Sequence, residues 1–415
     1  MQTGPAAKAT WNSPDSLLAA ALGLFAFAAV FSVTLVELAL FLALAVLLYK
    51  NYRERSLGAL LPAVAGHPLA LPWLIYLAAC LLTALTAYYP AKGFGQLNSD
   101  FLKFLCLFTL LAAVRKEHLP RLGAIYVLGA LLFVFSGLTE VAKAALEGWE
   151  KLPRANAFMN AIRFGEIMTV AFIYIVCRVL LPAAENFRRE GLFYKLAAPA
   201  VFAGIILSQA RGAFLALLAA LLTMFVFAAG TRKKLLALAG LMLAAGVAAS
   251  IFVPAVRQRL AAIVNVDRTE DTTYSSPSTA INIRFELWNL GLTMFRAHPV
   301  LGVGPDNVKK VFTKFHPEPI AYEKTWGSLH NLYIHQAAER GVVGLGALLL
   351  LFGSLFAFAV KRFRAAPGAH TLWALCVLPA FFVMNFTEIS FQHVHTSFAI
   401  FLALAFAAAA EKETA

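Results

Sequence analysis

The feature that most constrains this chain is a succession of apolar runs, interrupted once by a long polar interval. The runs fall at about 16–32, 34–49, 69–88, 98–114, 121–138, 162–181, 193–210, 212–230, 235–256, 341–360, 371–388 and 394–410. A helix needs about 20 apolar residues to cross a hydrocarbon core about 30 Å thick, so roughly twelve spans are expected, several of them short. Composition agrees: of 415 residues, 60% are hydrophobic and only 14% charged, where a soluble domain carries roughly a quarter charged residues. The expected fold class is an all-α polytopic membrane protein. The first two runs are almost contiguous and read as a tight hairpin.

Orientation follows from Lys and Arg, which mark cytoplasmic connections. Every second connection is rich in them: Lys50, Arg53 and Arg55; Arg115, Lys116 and Arg121; Arg188, Arg189 and Lys195; Arg232, Lys233 and Lys234; Lys361, Arg362 and Arg364. The alternate connections are poorer, with Lys92 in one and no basic residue in 389–393. In 139–161, Lys143, Lys151 and Arg154 are offset by Glu140, Glu147 and Glu150. The expectation is that both termini are cytoplasmic and the long polar interval lies outside. The same asymmetry accounts for the net charge of +13 without nucleic acid as a partner. Cys80, Cys106, Cys177 and Cys376 each fall in a different apolar run, with neither metal spacing nor a disulfide frame, and read as small buried side chains. The short polar start, leading directly into two apolar runs, does not read as a cleavable signal.

Three segments of one integrated membrane domain are therefore expected: spans over 1–256, a large outer loop over 257–340, and spans over 341–415. Within the loop, 264–278 is polar and reads as a mobile surface segment. Ala280 to Ala297 reads as an amphipathic helix with Ile283, Leu287, Leu290 and Met294 on one stripe, ended by Pro299. Arg284 and Trp288 share a second face through their four-residue spacing. Asp306 is placed to cap a short helix through Phe315, with Val308, Val311, Phe312 and Phe315 toward the membrane and Lys309, Lys310 and Lys314 toward anions. The segment from Ser328 begins a helix into the tenth run, where Gly341, Gly344 and Gly346 permit close packing.

Several residues here can carry chemistry. Arg211, between two apolar runs, reads either as an interfacial anchor or as a guanidinium held in a cavity for phosphate oxygens. Arg284 is either a solvated helix residue or a second grip on the same group, and Trp288 either an interface anchor or a platform for a sugar. His330 is the candidate base, because a neutral imidazole at a helix start accepts a proton at ordinary pH. His393 and His395 lie near the outer end of the last run, able to approach the same cavity. Asp267, Glu270 and Asp271 form no Asp-x-Asp pair, so no metal is expected. Glu166, one turn after Arg163, reads as a helix ion pair, and Gly302-Val303-Gly304 is too isolated to indicate a nucleotide. The charges singled out lie at the outer edge, which counts against a transporter, whose charges belong near the midplane.

Arg211-Gly212 at a membrane edge, the Arg284…Trp288…His298-Pro299…Gly302-Val303-Gly304 series, and Ser328-Leu329-His330-Asn331 entering a glycine-rich span resemble the O-antigen ligase and polymerase superfamily. With about twelve spans, one large outer loop and little after the last span, the chain is similar to its ligases, with a GT-C-like architecture. The resemblance implies an inverting, metal-independent glycosyl transfer at the periplasmic face of the bacterial inner membrane, with no cofactor. The donor is a glycan on undecaprenyl pyrophosphate and the acceptor a hydroxyl of lipid A-core. It implies His330 as base, Arg211 and Arg284 on the pyrophosphate, and Trp288, Asn331, Lys309 and Lys310 as substrate contacts. Only Glu411 to Ala415 follow the last run, whereas protein O-oligosaccharyltransferases usually carry a further outer domain. Polymerases share the loop and remain the rival reading, and a twelve-span flippase is the alternative from another class.

Overall fold

A computed structural model of the chain describes residues 13–146, 154–182, 189–252, 257, 277–320 and 323–410. They form helices α1 (Pro14–Phe31), α2 (Val33–Arg53), α3 (Leu57–Ala65), α4 (Ala70–Leu85), α5 (Pro90–Ala113), α6 (Leu119–Leu146), α7 (Ala161–Leu180), α8 (Arg189–Ser208), α9 (Arg211–Phe227), α10 (Arg232–Phe252), α11 (Pro277–Ala297), α12 (Val308–Phe315), α13 (Leu332–Ala365), α14 (Ala369–Thr387) and α15 (Val394–Ala409). Each of the twelve apolar runs coincides with a helix. The first two form the expected hairpin: Ser32 alone separates them, taking the N–H of Leu35 on its hydroxyl to open α2.

The span count differs from the expectation. Among the described residues, six helices are long and apolar enough to cross a membrane: α1, α2, α6, α8, α13 and α14. The count reaches eight if α3 with α4, bent by 81°, and α9 with α10, bent by 110°, each form one span. The shortfall has a physical cause. Inside α5 sit Asp100 and Lys103, inside α7 sit Arg163, Glu166 and Arg178, and α15 has only 16 residues. These helices are shielded by the bundle, so they tolerate polar groups that a lipid-facing helix does not.

Contacts between connections sort the helix ends into two sets. On one side, Arg154 donates from Nε to the carbonyl of Ser208 at 2.9 Å, Tyr88 N–H to Val303, and Tyr89 N–H to Asn307 Oδ1 at 2.7 Å. On the other lie the Lys50–Asp15 pair, Arg178 with His370 at 3.3 Å, and Arg362 on the carbonyls of Ala407 and Ala408. The second set holds the basic connections and the first holds 277–331.

That interval builds its own apolar core. Ile283, Leu287, Leu290 and Met294 form the expected stripe on α11 and are buried with Val303, Val308, Val311, Phe312, Ile320 and Leu329. Val308, Val311 and Phe312 therefore face this core and not the membrane as expected, because the covering helix is α11 itself. The cap of α12 also differs: Asn307 occupies the N-cap position, while Asp306, at φ 54°, sits 3.9 Å from Lys92. Most of the polar stretch expected to be mobile, 264–276, lies outside the described residues.

The glycines of 302–304 fasten this unit to the bundle. A Cβ on Gly302 would come within 2.2 Å of the Glu339 backbone, and one on Gly341 within 2.2 Å of the Val300 carbonyl. Both have positive φ, at 69° and 59°, a region that glycine enters without steric cost. Here α13 is broken at Gly341, and the turn backbone lies directly on the break, bonded from Val303 N to Ala338 O at 2.9 Å and from Gly304 N to Glu339 O at 2.8 Å. Gly346, by contrast, meets nothing within 4 Å.

Charge is not confined to the edges, contrary to expectation. Fully buried Asp100 takes Arg340 Nη2 on Oδ2 at 2.7 Å and Lys103 Nζ on Oδ1 at 3.4 Å. Arg340 also donates to Tyr76 at 2.6 Å and to Gln336 at 3.2 Å, and Lys103 lies over the Phe391 ring. The four cysteines are free and buried, as expected.

Candidate active site

The end of α14 and the starts of α9 and α13 meet on the side that carries α11. Thr387 at the end of α14 touches Gly212 so closely that a Cβ there would come within 2.3 Å of its hydroxyl. This fixes Arg211, the first residue of α9, beside Glu388. Ala210 occupies the N-cap of α9 and has no side chain able to cap, so the first amides of that helix are left for another acceptor. The residue before it, Gln209, has φ 53°. Such a conformation in a non-glycine residue costs about 1–3 kcal/mol and clusters at functional sites.

Glu388 is the residue that sequence reasoning missed. It is buried, at 6% exposure, at the C-terminal end of α14, where the helix dipole disfavours a negative charge. What offsets this is His330, whose Nδ1 lies 2.8 Å from Glu388 Oε1. Burial pushes the Glu388 carboxyl up, but the bond from His330 and the charges of His330, His393 and Arg284 outweigh it and hold the group below its ordinary value. An ionised Glu388 accepts from Nδ1–H, which leaves Nε2 as the basic nitrogen of His330. The turn bearing Glu388 is itself held, by Phe391 N–H on Asn385 Oδ1 at 2.9 Å and by Ser397 Oγ on the Phe391 carbonyl at 2.7 Å. One signal pointed to this residue: an acid at the outer end of an apolar run is a functional candidate by default.

His330 has φ 48°, a second strained turn residue in the same site. Its N–H bonds Ser328 Oγ at 3.1 Å and its ring meets Trp326 edge to face. The next residue, Asn331, is buried and accepts the N–H groups of Tyr333 and Ile334 on Oδ1. It is the N-cap of α13, and through that cap it fixes where His330 stands.

Arg284, half-buried on α11, is close enough to act electrostatically on both Glu388 and Arg211. Arg284 thus links Arg211 to the Glu388–His330 pair. Among the described residues no carboxylate stands within ion-pairing distance of either arginine, so Glu388 acts on Arg284 only from beyond contact. Trp288, one turn along α11, packs on Phe285 and has an enclosed Nε1–H with no acceptor among the described residues. Lys309 and Lys310 are exposed on α12, and the Lys309 side chain passes 3.8 Å from the position of a Gly327 Cβ. Lys314 donates to Tyr88 at 2.8 Å. Glu166 does not form the expected pair with Arg163. It is buried and accepts from Ser390 Oγ at 2.7 Å and Thr396 Oγ1 at 3.4 Å. Among the described residues no three His, Cys, Asp or Glu side chains form a metal-ligand set.

Fold and site together define a class: a multi-pass helical membrane protein that presents unpaired guanidinium groups and a carboxylate-held imidazole at one set of helix ends. The family model described as O-antigen ligase matches residues 196–349, so this part of the chain is similar to that family. An uncharacterized protein of Haemophilus influenzae is 25% identical over 183 residues, covering 41% of this chain and 43% of that protein. The chain thus spans under half the length of this curated relative. The family match encloses Arg211, Arg284, Trp288, Lys309, Lys310, His330 and Asn331, and stops before Glu388.

Proposed function

We propose that the protein is an O-antigen ligase, joining a glycan carried on undecaprenyl pyrophosphate to a hydroxyl of lipid A-core at the periplasmic face of the bacterial inner membrane. The two unpaired arginines beside the His330–Glu388 pair carry this assignment. An anion with oxygens on two phosphorus atoms suits two adjacent guanidinium groups and the uncapped start of α9.

In the transfer, His330 Nε2 accepts the proton of the acceptor hydroxyl as its oxygen attacks the anomeric carbon from the face opposite the leaving group. The bond from that carbon to the pyrophosphate oxygen breaks, its electron pair leaves with the pyrophosphate, and configuration inverts. Arg211 and Arg284 stabilise the negative charge as it develops, the role a divalent cation takes in other enzymes. Glu388 keeps the imidazole in the reactive tautomer and stabilises the imidazolium that forms. Trp288 offers an aromatic face and a free N–H to a sugar, and Lys309 and Lys310 line the approach.

Acceptor choice separates ligase from polymerase. Purified protein given lipid-linked glycan and lipid A-core is expected to yield glycan on lipid A-core. A product that is only a longer lipid-linked chain assigns it to the polymerase branch.

A further inference from the structure

A third arginine stands on a turn packed against the same helix ends. Arg163 lies in the first turn of α7, which Asn160 caps by accepting Ile162 N–H at 2.7 Å. That turn is pressed onto the start of α9: a Cβ on Gly165 would come within 2.6 Å of Ser208 Oγ and 2.9 Å of Ala210 Cβ. It is also tied to the turn after Glu388, because the Glu166 carboxylate bonds Ser390 and Thr396. Glu166, the nearest acid in sequence and a natural partner at three residues' spacing, is thereby turned into the bundle. Arg163 is left exposed, with no carboxylate within ion-pairing distance among the described residues.

Its position differs from that of the other two arginines. Arg211 and Arg284 act on each other, whereas Arg163 is the strongest charge acting on the rings of His393 and His395. His393 in turn lies within the field of Glu388 and His330. Arg163 therefore stands on the His393 side of Glu388, where its turn meets the turn bearing Ser390. If the first pair holds the leaving pyrophosphate, the reacting hydroxyl arrives at His330 between the two cationic sites, and Arg163 faces whatever carries that hydroxyl.

We propose that Arg163 forms a second anion subsite, which binds an acidic group, phosphate or carboxylate, on the acceptor glycolipid and so positions its hydroxyl against His330. This rests on the ligase reading above. Residues of this kind set specificity without touching the reacting bond, and a charge-assisted hydrogen bond on a bound anion is worth about ten- to a hundredfold in affinity.

The test is a transfer assay with purified full-length protein, lipid-linked donor and lipid A-core acceptor, in which donor and acceptor are varied separately. Arg163→Ala is expected to raise the acceptor KM about ten- to a hundredfold while the donor KM stays at the wild-type value. Arg163→Lys is expected to recover part of the loss, and thermal unfolding of each variant reports whether it is folded. Phosphatase-treated acceptor and carboxyl-reduced acceptor are then compared. The treatment that removes the bound group raises the wild-type KM to that of Arg163→Ala and makes the two proteins equal. An unchanged acceptor KM in folded Arg163→Ala, a rise in donor KM instead, or a rise that persists on both stripped acceptors overturns the subsite. Absence of any transfer to lipid A-core by the wild type overturns the ligase reading itself, whereas normal transfer with an indifferent Arg163 overturns only the subsite.

Discussion

The two polar clusters of this protein use the same residue types to opposite ends. In the bundle interior, Asp100, Lys103, Arg340, Tyr76 and Gln336 are fully buried, and each cation has its counter-charge within 3.4 Å. At the helix ends, Arg211, Arg284 and Arg163 stand without a carboxylate within ion-pairing distance among the described residues; of the buried acids there, Glu388 is bonded to a histidine and Glu166 to two hydroxyls. A paired network, in which Asp100 serves both cations, holds α4, α5 and α13 together. An unpaired one is incomplete until an anion arrives. Burial alone therefore does not mark a functional charge in a membrane protein. The interior charges, which could suggest a transporter, are here bonded to one another, so they do not by themselves argue for transport.

The first way to break this contrast is in the interior. Asp100→Ala leaves Arg340 and Lys103 buried without a counter-charge, a change that costs about 3–5 kcal/mol. Folded protein recovered from membranes should fall sharply, and any that remains should unfold at lower temperature. Replacing Asp100, Lys103 and Arg340 together by apolar residues of similar size should restore most of the loss. Wild-type yield and unfolding temperature for Asp100→Ala would show that the network is not structural.

The cationic site should respond the other way. Arg211→Ala and Arg284→Ala each remove a charge that has no partner in the fold, so yield should be unchanged. Transfer should fall by about 10²–10³-fold, the loss seen when one preorganised donor is removed from a charge-stabilising site. Loss of folded protein in proportion to loss of transfer would move these arginines into the structural class.

Glu388 sharpens the comparison, since it belongs to both clusters in kind, being buried like Asp100 and adjacent to the reaction like Arg284. Its carboxyl is held low by His330, with burial opposing, so it is ionised throughout the range in which an imidazole titrates, near about 6.5. A carboxyl with a depressed value contributes stability above its unfolded value of about 4.3 and loses it as pH falls through the folded value, so Glu388 adds no inflection near neutrality. Glu388→Gln should lower the rate by about 10²-fold, within the range for general-base catalysis. It should also move the acid limb of the rate profile to lower pH, because the imidazolium loses its counter-charge. An unmoved acid limb would separate Glu388 from the proton-accepting group.

How much of this was legible in the sequence depended on the range of the interaction. The stripe Ile283, Leu287, Leu290 and Met294 is a local period, and the structure buries all four. Arg211, Arg284 and His330 carry a family pattern, and Arg284 acts on both Arg211 and the carboxylate that holds His330. The His330–Glu388 bond spans 58 residues and the Arg340–Asp100 bond 240, and no local spacing encodes either. Interior charges in α5 and α7 lower the apolarity by which spans are recognised, so twelve runs yield six to eight candidate spans. Gly302 and Gly341 were visible as glycines. That Gly302 lies on the Glu339 backbone and Gly341 on the Val300 backbone, across a helix break, is a property of the packed chain alone.

The most direct test of the account is His330→Ala, assayed with purified protein, lipid-linked glycan and lipid A-core, with donor binding measured on the same preparation. Donor binding is expected to persist, because Arg211 and Arg284 are untouched, while transfer falls by about 10²–10⁴-fold, as for loss of a general base. Near-normal transfer by a folded His330→Ala protein would contradict the account, since the carboxylate-held imidazole would then have no part in moving the proton.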